Sequence, residues 1–137
     1  MKMIKVKNSG VIKLGKPDAK RGGLAVAEAN KHIPFEIQRV YFIHDLRPRS
    51  APRGGHAHKT HQQAIFCLRG SFELHLDDGQ ANQVIVLNTP SEGILLGPKL
   101  WHTMDNFSDS CVIAVFASHH YDENDYIRNY SEFLTLI

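Results

Sequence analysis

Cysteine, tryptophan and long apolar runs are all scarce in this chain of 137 residues. No apolar run approaches the roughly 20 residues that a membrane-spanning helix needs. The N-terminus also lacks the apolar stretch of a signal peptide. The two cysteines, Cys67 and Cys111, each lie in an apolar, strand-like run, which favours buried thiols in a reducing compartment. We therefore expect a cytoplasmic protein that does not enter a membrane.

An excess of charge of one sign is missing as well. Sixteen Lys and Arg residues against fourteen Asp and Glu residues leave a net charge of +2. This weak and dispersed charge excludes a dedicated nucleic-acid-binding protein, although it suits an anionic small ligand. The length fits one domain over residues 1–137, which can bury a core without a disulfide or a structural metal.

The apolar segments are short and are separated by Gly, Pro, Asn and Asp, a pattern typical of strands and turns. The predicted strands are Ile4–Val6, Val11–Leu14, Gly22–Ala27, Ile37–Ile43, Ala64–Leu68, Phe72–Leu76, Gln83–Leu87, Gly93–Leu96 and Cys111–Ala117. Asp77–Gln80 predicts a hairpin turn, and Asp122–Leu134 is the one predicted helix. The pattern predicts an all-β jelly roll with a short C-terminal helix.

Histidine is abundant, with nine residues in the chain, and His56, His58 and His61 lie within six positions. On a strand, His56 and His58 point to the same face. Such a pair serves either as metal ligands or as a proton-transferring pair. His32, His44, His61, His75, His119 and His120 are expected in loops or on outward strand faces, without a role. Asp122–Asp125 is expected to be a solvated helix start.

Two segments resemble the cupin motifs. The spacing from His56 and His58 to Gln63 and Gly70 is that of the first motif, with Gln63 where Glu is usual. The Pro98–Asn106 segment, which contains His102, resembles the second. The resemblance implies a cupin barrel with these side chains in its lumen. Three imidazoles and one oxygen donor can ligate Fe, Mn or Zn, although a neutral amide is a poorer ligand than a carboxylate, so the metal question stays open.

Nearly the whole chain resembles the WxcM-like cupin sugar-nucleotide isomerases, the dTDP-4-oxo-6-deoxyglucose 3,4-ketoisomerases. The matching segments are Arg21–Leu24, Pro34–Tyr41, Arg53–Lys59, Trp101–Met104, Ala117–Ser118, Tyr121–Glu123 and Asp125–Tyr130. The resemblance implies a homodimer that needs no metal or other cofactor. It also implies a reaction that moves the carbonyl of a dTDP-linked 4-oxo-6-deoxy sugar from C4 to C3, for deoxyamino sugars of surface glycans such as lipopolysaccharide or S-layer glycans.

The resemblance also implies roles for individual residues. His58 is the expected proton-transferring base and His56 its partner. Tyr41 shares a strand face with Arg39, so its phenol is expected to stabilise the enediolate. His102, titrating near neutral pH, is expected to protonate C4 and, with Arg21, to favour the galacto product. The expected substrate-binding residues are Arg21, Arg39, Gln63, Arg53, Lys59 and Trp101.

Two other function classes stay open at this point. One is a metal-dependent cupin oxygenase or isomerase that uses His56, His58, Gln63 and His102. The other is a cupin that binds a sugar nucleotide without catalysis. The alternation of apolar residues and lysines along Met1–Leu14 further predicts an N-terminal strand that is exchanged between the subunits of a dimer.

Overall fold

The computed structural model describes residues 3–15 and 20–137. Within these residues the chain forms ten strands, one 3₁₀ turn and one short α-helix. The strands are β1 (Ser9–Lys13), β2 (Arg39–Ile43), β3 (Arg53–His58), β4 (Gln63–Arg69), β5 (Phe72–Asp77), β6 (Asn82–Leu87), β7 (Glu92–Leu96), β8 (Trp101–Asp105), β9 (Val112–Ala117) and β10 (Tyr126–Ile127). The 3₁₀ turn is Glu123–Asp125 and helix α1 is Tyr130–Thr135.

The strands form two antiparallel sheets of five strands each. Their orders are β1-β7-β4-β9-β2 and β10-β3-β8-β5-β6. Apart from the β5-β6 hairpin, neighbouring strands are not consecutive in the chain, which is the strand arrangement of a jelly roll. The predicted all-β jelly roll with a short C-terminal helix is therefore confirmed.

The core lies between the two sheets because each strand points alternate side chains inward. On β5, Phe72, Leu74 and Leu76 are buried, while Glu73 and His75 on the opposite face are partly exposed. The interior also holds both thiols, whose sulfur atoms lie 4.0 Å apart without a disulfide. Burial raises the pKa of Cys67 to about 12, so this thiol stays protonated and packs as a small apolar side chain.

Strand β4 is buried on both faces. Ile65 faces the interior, whereas Phe66 faces outward and packs with Ile33 and Phe35 from the segment before β2. This segment covers the outer face of the first sheet, so the outward-facing side chain of Phe66 is not exposed to water. Gly93, opposite Phe66 on β7, leaves the space that the Phe66 ring occupies, because a Cβ atom there would lie 2.4 Å from the ring.

The turn and helix predictions have different outcomes. The predicted turn is confirmed: Asp77 and Asp78 accept backbone hydrogen bonds within it, and Gly79 has a positive φ of 94°. The predicted helix Asp122–Leu134 is too long: its start is a 3₁₀ turn, Tyr126–Ile127 pairs with β3, and only Tyr130–Thr135 is α-helical. Pairing with a distant strand overrides the local three- and four-residue spacing of aromatic residues.

The strand predictions also differ in detail from the structure. Ile4–Val6 and Gly22–Ala27 contain no strand. Val6 instead packs into the core. Strand β8 was not among the predicted strands, because polar side chains are interspersed with apolar ones along it and leave no apolar run. The predicted N-terminal strand is present as β1 and pairs with β7 of its own chain; Met1 and Lys2 lie outside the described residues. Within the described residues, no helix has the length and apolar character needed to cross a membrane.

Candidate active site

One end of the barrel gathers polar side chains from both sheets. In the first sheet, Arg39 and Gln63 lie opposite the same residue, Ala117, so the starts of β2 and β4 meet at that end. In the second sheet, His56 on β3 lies opposite His102 on β8. The ring centroids of these two histidines are 4.7 Å apart, and those of His56 and His58 are 5.1 Å apart. The structure therefore brings together the three histidines that the sequence singled out.

His58 is held by a buried carboxylate. Its Nδ1 lies 3.1 Å from an oxygen of Asp125, and both side chains are almost completely buried. Its Nε2 is buried and has no hydrogen-bond partner in the structure. Burial lowers the pKa of His58 to about 4, although Asp125 opposes this shift. The ring is therefore neutral near pH 7, and an ionised Asp125 can only accept, so Nδ1 carries the hydrogen and Nε2 has a free lone pair.

His56 and His102 are neutral near pH 7 too. Burial and the neighbouring His102 and His58 lower the pKa of His56 to about 2. Neither ring nitrogen of His56 has a partner. Burial lowers the pKa of His102 to about 4, and its Nδ1 lies 3.3 Å from the carbonyl oxygen of Leu100. His102 was expected to titrate near neutral pH, but burial moves its pKa well below that range.

Tyr41 faces the same space from β2 as a neutral phenol. Burial raises its pKa to about 12. The side-chain amide of Gln63 donates a hydrogen bond to the Tyr41 oxygen over 3.2 Å. Because Gln63 already supplies the hydrogen in that bond, the hydroxyl hydrogen of Tyr41 is available to another acceptor. Gln63 thus orients the phenol.

Arg39 supplies positive charge beside these groups. Its guanidinium stacks over the rings of Tyr41 and Tyr121, at 5.3 Å and 5.7 Å from their centroids. Its Nε and Nη2 atoms are buried and unpartnered. Buried guanidinium nitrogens without an acceptor are costly, and an anionic ligand would supply the missing acceptors.

Four of the expected substrate-binding residues lie elsewhere or at the surface. Trp101 points to the outer face of the second sheet, where its ring packs against Tyr130 and Phe133 of helix α1. Arg53 and Lys59 are exposed at the two ends of β3. Arg21 is exposed, with no hydrogen bond or ion pair to another described residue. Of the predicted substrate-binding set, Arg39 and Gln63 accompany the histidines, and the positive charge of Arg53 is near enough to Tyr41 to oppose the rise of its pKa.

Three further residues that were not expected from the sequence contribute to this site. His61 was expected to be solvated, but only 4% of its surface is exposed, and it stacks on His119 with centroids 4.4 Å apart. Asp125 was expected to be a solvated helix residue, but it is buried beside His58. The ring of Tyr126 lies 4.5 Å from that of His58. The short distance in sequence from His56 and His58 was a signal for His61. Asp125 and Tyr126 join the site only through the tertiary pairing of their segment with β3.

The ligand set of the metal-dependent alternative, His56, His58, Gln63 and His102, is not the cluster that the structure forms. Among the described residues, the buried group whose ligand atoms lie within 4.8 Å of one another is His58, His61 and Asp125, rather than the three lumen histidines. In that group, one oxygen of Asp125 already accepts hydrogen bonds from the ring of His58 and the backbone of His61. A cation there would have to break both contacts.

A β-barrel that encloses neutral imidazoles with unpartnered ring nitrogens on His56 and His58, a neutral phenol and an unpaired guanidinium suits proton transfer on an anionic substrate. The family profile described as "FdtA: WxcM-like, C-terminal" matches residues 7–137. This chain therefore belongs to that family, as its sequence motifs implied, and it has the cupin jelly-roll fold.

Curated and solved relatives agree with this assignment. The chain is 50% identical over 113 residues to TDP-4-oxo-6-deoxy-alpha-D-glucose-3,4-oxoisomerase of Aneurinibacillus thermoaerophilus, a match that covers 82% of this chain and 81% of that protein. It is similar to the 3,4-ketoisomerase QdtA of Thermoanaerobacterium thermosaccharolyticum, solved in complex with TDP, with 39% identity, 96% of each chain covered and a TM-score of 0.91.

It is also similar to the TDP-quinovose 3,4-ketoisomerase WlaRB of Campylobacter jejuni, with 43% identity, 95% and 99% of the two chains covered and a TM-score of 0.89. These relatives share one reaction class, and the chain covers most of each of them. The protein is accordingly an isomerase.

Proposed function

We propose that this chain is a 3,4-ketoisomerase that converts dTDP-4-oxo-6-deoxy-D-glucose into a dTDP-3-oxo-6-deoxyhexose. The observation that carries the proposal is the free Nε2 of His58, which is buried without a partner between neutral His56 and Tyr126. A neutral imidazole in such a place accepts a proton from carbon without competition from water. The reaction named for the relatives from Aneurinibacillus and Thermoanaerobacterium supports this substrate class.

The reaction requires one proton to leave C3 and one to arrive at C4. The hydrogen on C3 is acidic because C3 adjoins the C4 carbonyl. His58 Nε2 accepts this proton, the C–H electron pair forms a C3–C4 double bond, and O4 takes a proton to give an enediol. Loss of the O3 proton and protonation of C4 then place the carbonyl at C3. Protons and electrons balance without an external oxidant.

Tyr41 is the proposed hydrogen-bond donor to O4. Its raised pKa keeps the phenol protonated, and Gln63 leaves its hydrogen free to point at a substrate oxygen. Such a bond strengthens as negative charge develops on O4, which lowers the barrier more than it tightens substrate binding. His56, next to His58, is the proposed partner that receives or returns a proton during the exchange.

Arg39 is the proposed contact for the diphosphate of the substrate. Its unpartnered nitrogens need an acceptor, and a phosphate group accepts two parallel hydrogen bonds from a guanidinium. Arg21, Arg53, Lys59 and Trp101 stay predicted substrate contacts, although they lie at the surface or on the outer face of the sheet in this structure.

We also propose the galacto configuration at C4 of the product, from His102 and Arg21 together. His102 is buried beside His56, where it can place a proton or a water on the second face of the planar enediol. Because its pKa is about 4, it must first receive the proton that it passes on. The double variant Arg21→Tyr, His102→Arg is expected to shift the product toward the gluco form. The labile product is trapped by coupled transamination, and its H4 couplings are read by NMR; a gluco product from the unmodified enzyme would contradict the assignment.

The proposed assembly is a homodimer with exchange of the N-terminal strand. Strand β1 is at an edge of its sheet. On the other edge strand, β2, the side chains of Val40 and Phe42 are 43% and 58% exposed on the outer face, which suits contact with a second subunit. Sedimentation at micromolar concentration tests this; a monomer of 15.5 kDa would contradict it.

The cytoplasmic location, the single domain and the role in surface-glycan synthesis stay predictions.

The decisive experiment is incubation with dTDP-4-oxo-6-deoxyglucose in deuterated water, followed by NMR. We expect loss of the substrate, a new C3 carbonyl and deuterium at C4 of the product. Nucleotide binding without exchange of the C3 hydrogen would identify a binding protein instead. A second sample, purified without chelator and then treated with one, tests the metal-dependent alternative, which requires stoichiometric Fe, Mn or Zn and activity lost on chelation.

A further inference from the structure

The carboxylate of Asp125 is the centre of a compact hydrogen-bond cluster behind His58. One oxygen accepts from the backbone N–H of Thr60 at 3.0 Å and from its hydroxyl at 2.7 Å. The other oxygen accepts from the ring of His58 and from the backbone N–H of His61, both at 3.1 Å. Only 6% of Asp125 is exposed, so these four donors replace water around the charge.

All four contacts require Asp125 to be an acceptor at both oxygens. Although burial raises its pKa, the hydrogen bonds from Thr60 and His61 hold that pKa below its ordinary value. The carboxylate is therefore ionised at the pH where the enzyme works. An ionised carboxylate has no hydrogen to give, so it admits only one neutral form of the His58 ring, with the hydrogen on Nδ1.

We propose that Asp125 is the positioning residue of this active site: it selects the tautomer of His58 that leaves Nε2 free to accept the C3 proton, and it fixes the ring in the lumen. This inference rests on the proposed ketoisomerase reaction. It extends that reaction to a residue that does not itself touch the reacting atoms. When His58 takes up the proton, the nearby negative charge of Asp125 also stabilises the imidazolium.

The same carboxylate orders the turn that joins β3 to β4. The carbonyl oxygen of Asp125 accepts from the backbone N–H of Lys59 at 2.9 Å, next to the contacts with Thr60 and His61. Strand β10 then begins at Tyr126, which lies opposite His58. The position of His58 is thus set twice, through its ring and through the backbone that follows it.

An asparagine in place of Asp125 tests whether the tautomer of His58 depends on this carboxylate. It has nearly the same shape, but its amide group is a donor on one side. If the amide group faces His58, it also opposes the backbone N–H of His61. The imidazole must then carry its hydrogen on Nε2, and the free lone pair that accepts the proton is lost. If the amide faces Thr60, it meets the backbone N–H of that residue, and the turn is disturbed while the His58 tautomer is kept.

The test is Asp125→Asn with three measurements: nitrogen-15 NMR of the His58 ring, kcat and KM for dTDP-4-oxo-6-deoxyglucose, and the affinity for dTDP. In the unmodified enzyme we expect the His58 hydrogen on Nδ1. In the variant we expect it on Nε2, with kcat lower by at least about 100-fold and KM and dTDP affinity within about threefold. A merely structural role would instead lower thermal stability without changing the tautomer.

The matched control is Asp105→Asn. Asp105 forms the same kind of pair, at 2.7 Å from Nε2 of His75, but on the outer face of the second sheet. This variant is expected to keep kcat within about twofold of the unmodified enzyme. Retention of full kcat by Asp125→Asn would overturn the proposal, and so would a His58 hydrogen on Nε2 in the unmodified enzyme.

The NMR measurement needs neither substrate nor turnover. A variant that fails to fold therefore still leaves the proposal open to refutation in the unmodified protein. If the unmodified enzyme does not isomerise the substrate but shows the expected tautomer, the proposed reaction is wrong, whereas the selection of the His58 tautomer by Asp125 stands.

Discussion

Acidification is expected to destabilise this fold through its buried histidines. His58 and His102 have pKa values of about 4 in the folded chain, against about 6.5 in an unfolded chain. Between these values the unfolded chain binds protons that the folded chain does not. The contribution of these two histidines to the free energy of unfolding is therefore at its maximum above about pH 7.5. It decreases as the pH falls through 6.5 toward 4.

The size of the loss follows from the two shifts. Between pH 8 and pH 5, a group whose pKa changes from about 6.5 to about 4 on folding loses about 2 kcal/mol of its contribution. For His58 and His102 together the loss is about 3 to 4 kcal/mol, because their mutual repulsion enters both shifts and counts once. His56 shifts in the same direction, with a pKa of about 2, so the sum is a lower bound. Domains of this size unfold with about 5–15 kcal/mol.

Urea unfolding at pH 8 and pH 5 measures this loss directly. The double variant His58→Gln, His102→Gln removes both titrating groups, so its difference between the two pH values should be smaller by about 3 to 4 kcal/mol. His120→Gln is the control, because His120 is exposed and its removal should leave the difference unchanged. A loss below about 1 kcal/mol in the unmodified protein would refute the reasoning.

Three further predictions concern single residues. His58→Asn should leave less than about a tenth of the turnover, with dTDP binding nearly intact by calorimetry, because a positioned base contributes roughly 10²–10⁴-fold to rate. Tyr41→Phe should slow the NMR-monitored reaction less, since a water can replace the hydroxyl; an unchanged rate would leave Tyr41 a structural role. Gly93→Ala should lower the free energy of unfolding by about 1–3 kcal/mol, because its Cβ atom would lie 2.4 Å from the Ile65 carbonyl oxygen. Gly10→Ala is the control in urea unfolding, as its Cβ atom meets nothing within 4 Å.

Part of the active site could be predicted because it depends on local spacing. Alternation along a strand places His56 and His58 on one face whatever the rest of the chain does, and the same holds for Arg39 and Tyr41. Short apolar runs and the Asp77–Gln80 turn predicted the jelly roll in the same way. The resemblance of Pro98–Asn106 to the second cupin motif added His102, which lies opposite His56 in the sheet.

Other features depended on contacts between distant parts of the chain. Asp125 lies 67 positions from His58, and its sequence neighbourhood of acidic residues is typical of an exposed helix start. Pairing of Tyr126 with β3 turned this segment into a strand and buried the carboxylate.

Which side chains are buried was decided by the tertiary structure. The sequence determined which residue types carry the chemistry and which of them share a strand face. Trp101 shows the limit, because the helix that its ring packs against is 29 or more residues further along the chain. The charge state of the histidines is also a tertiary property: the same imidazole titrates near pH 6.5 in water and near 4 at position 58, since removal of water penalises its charged form.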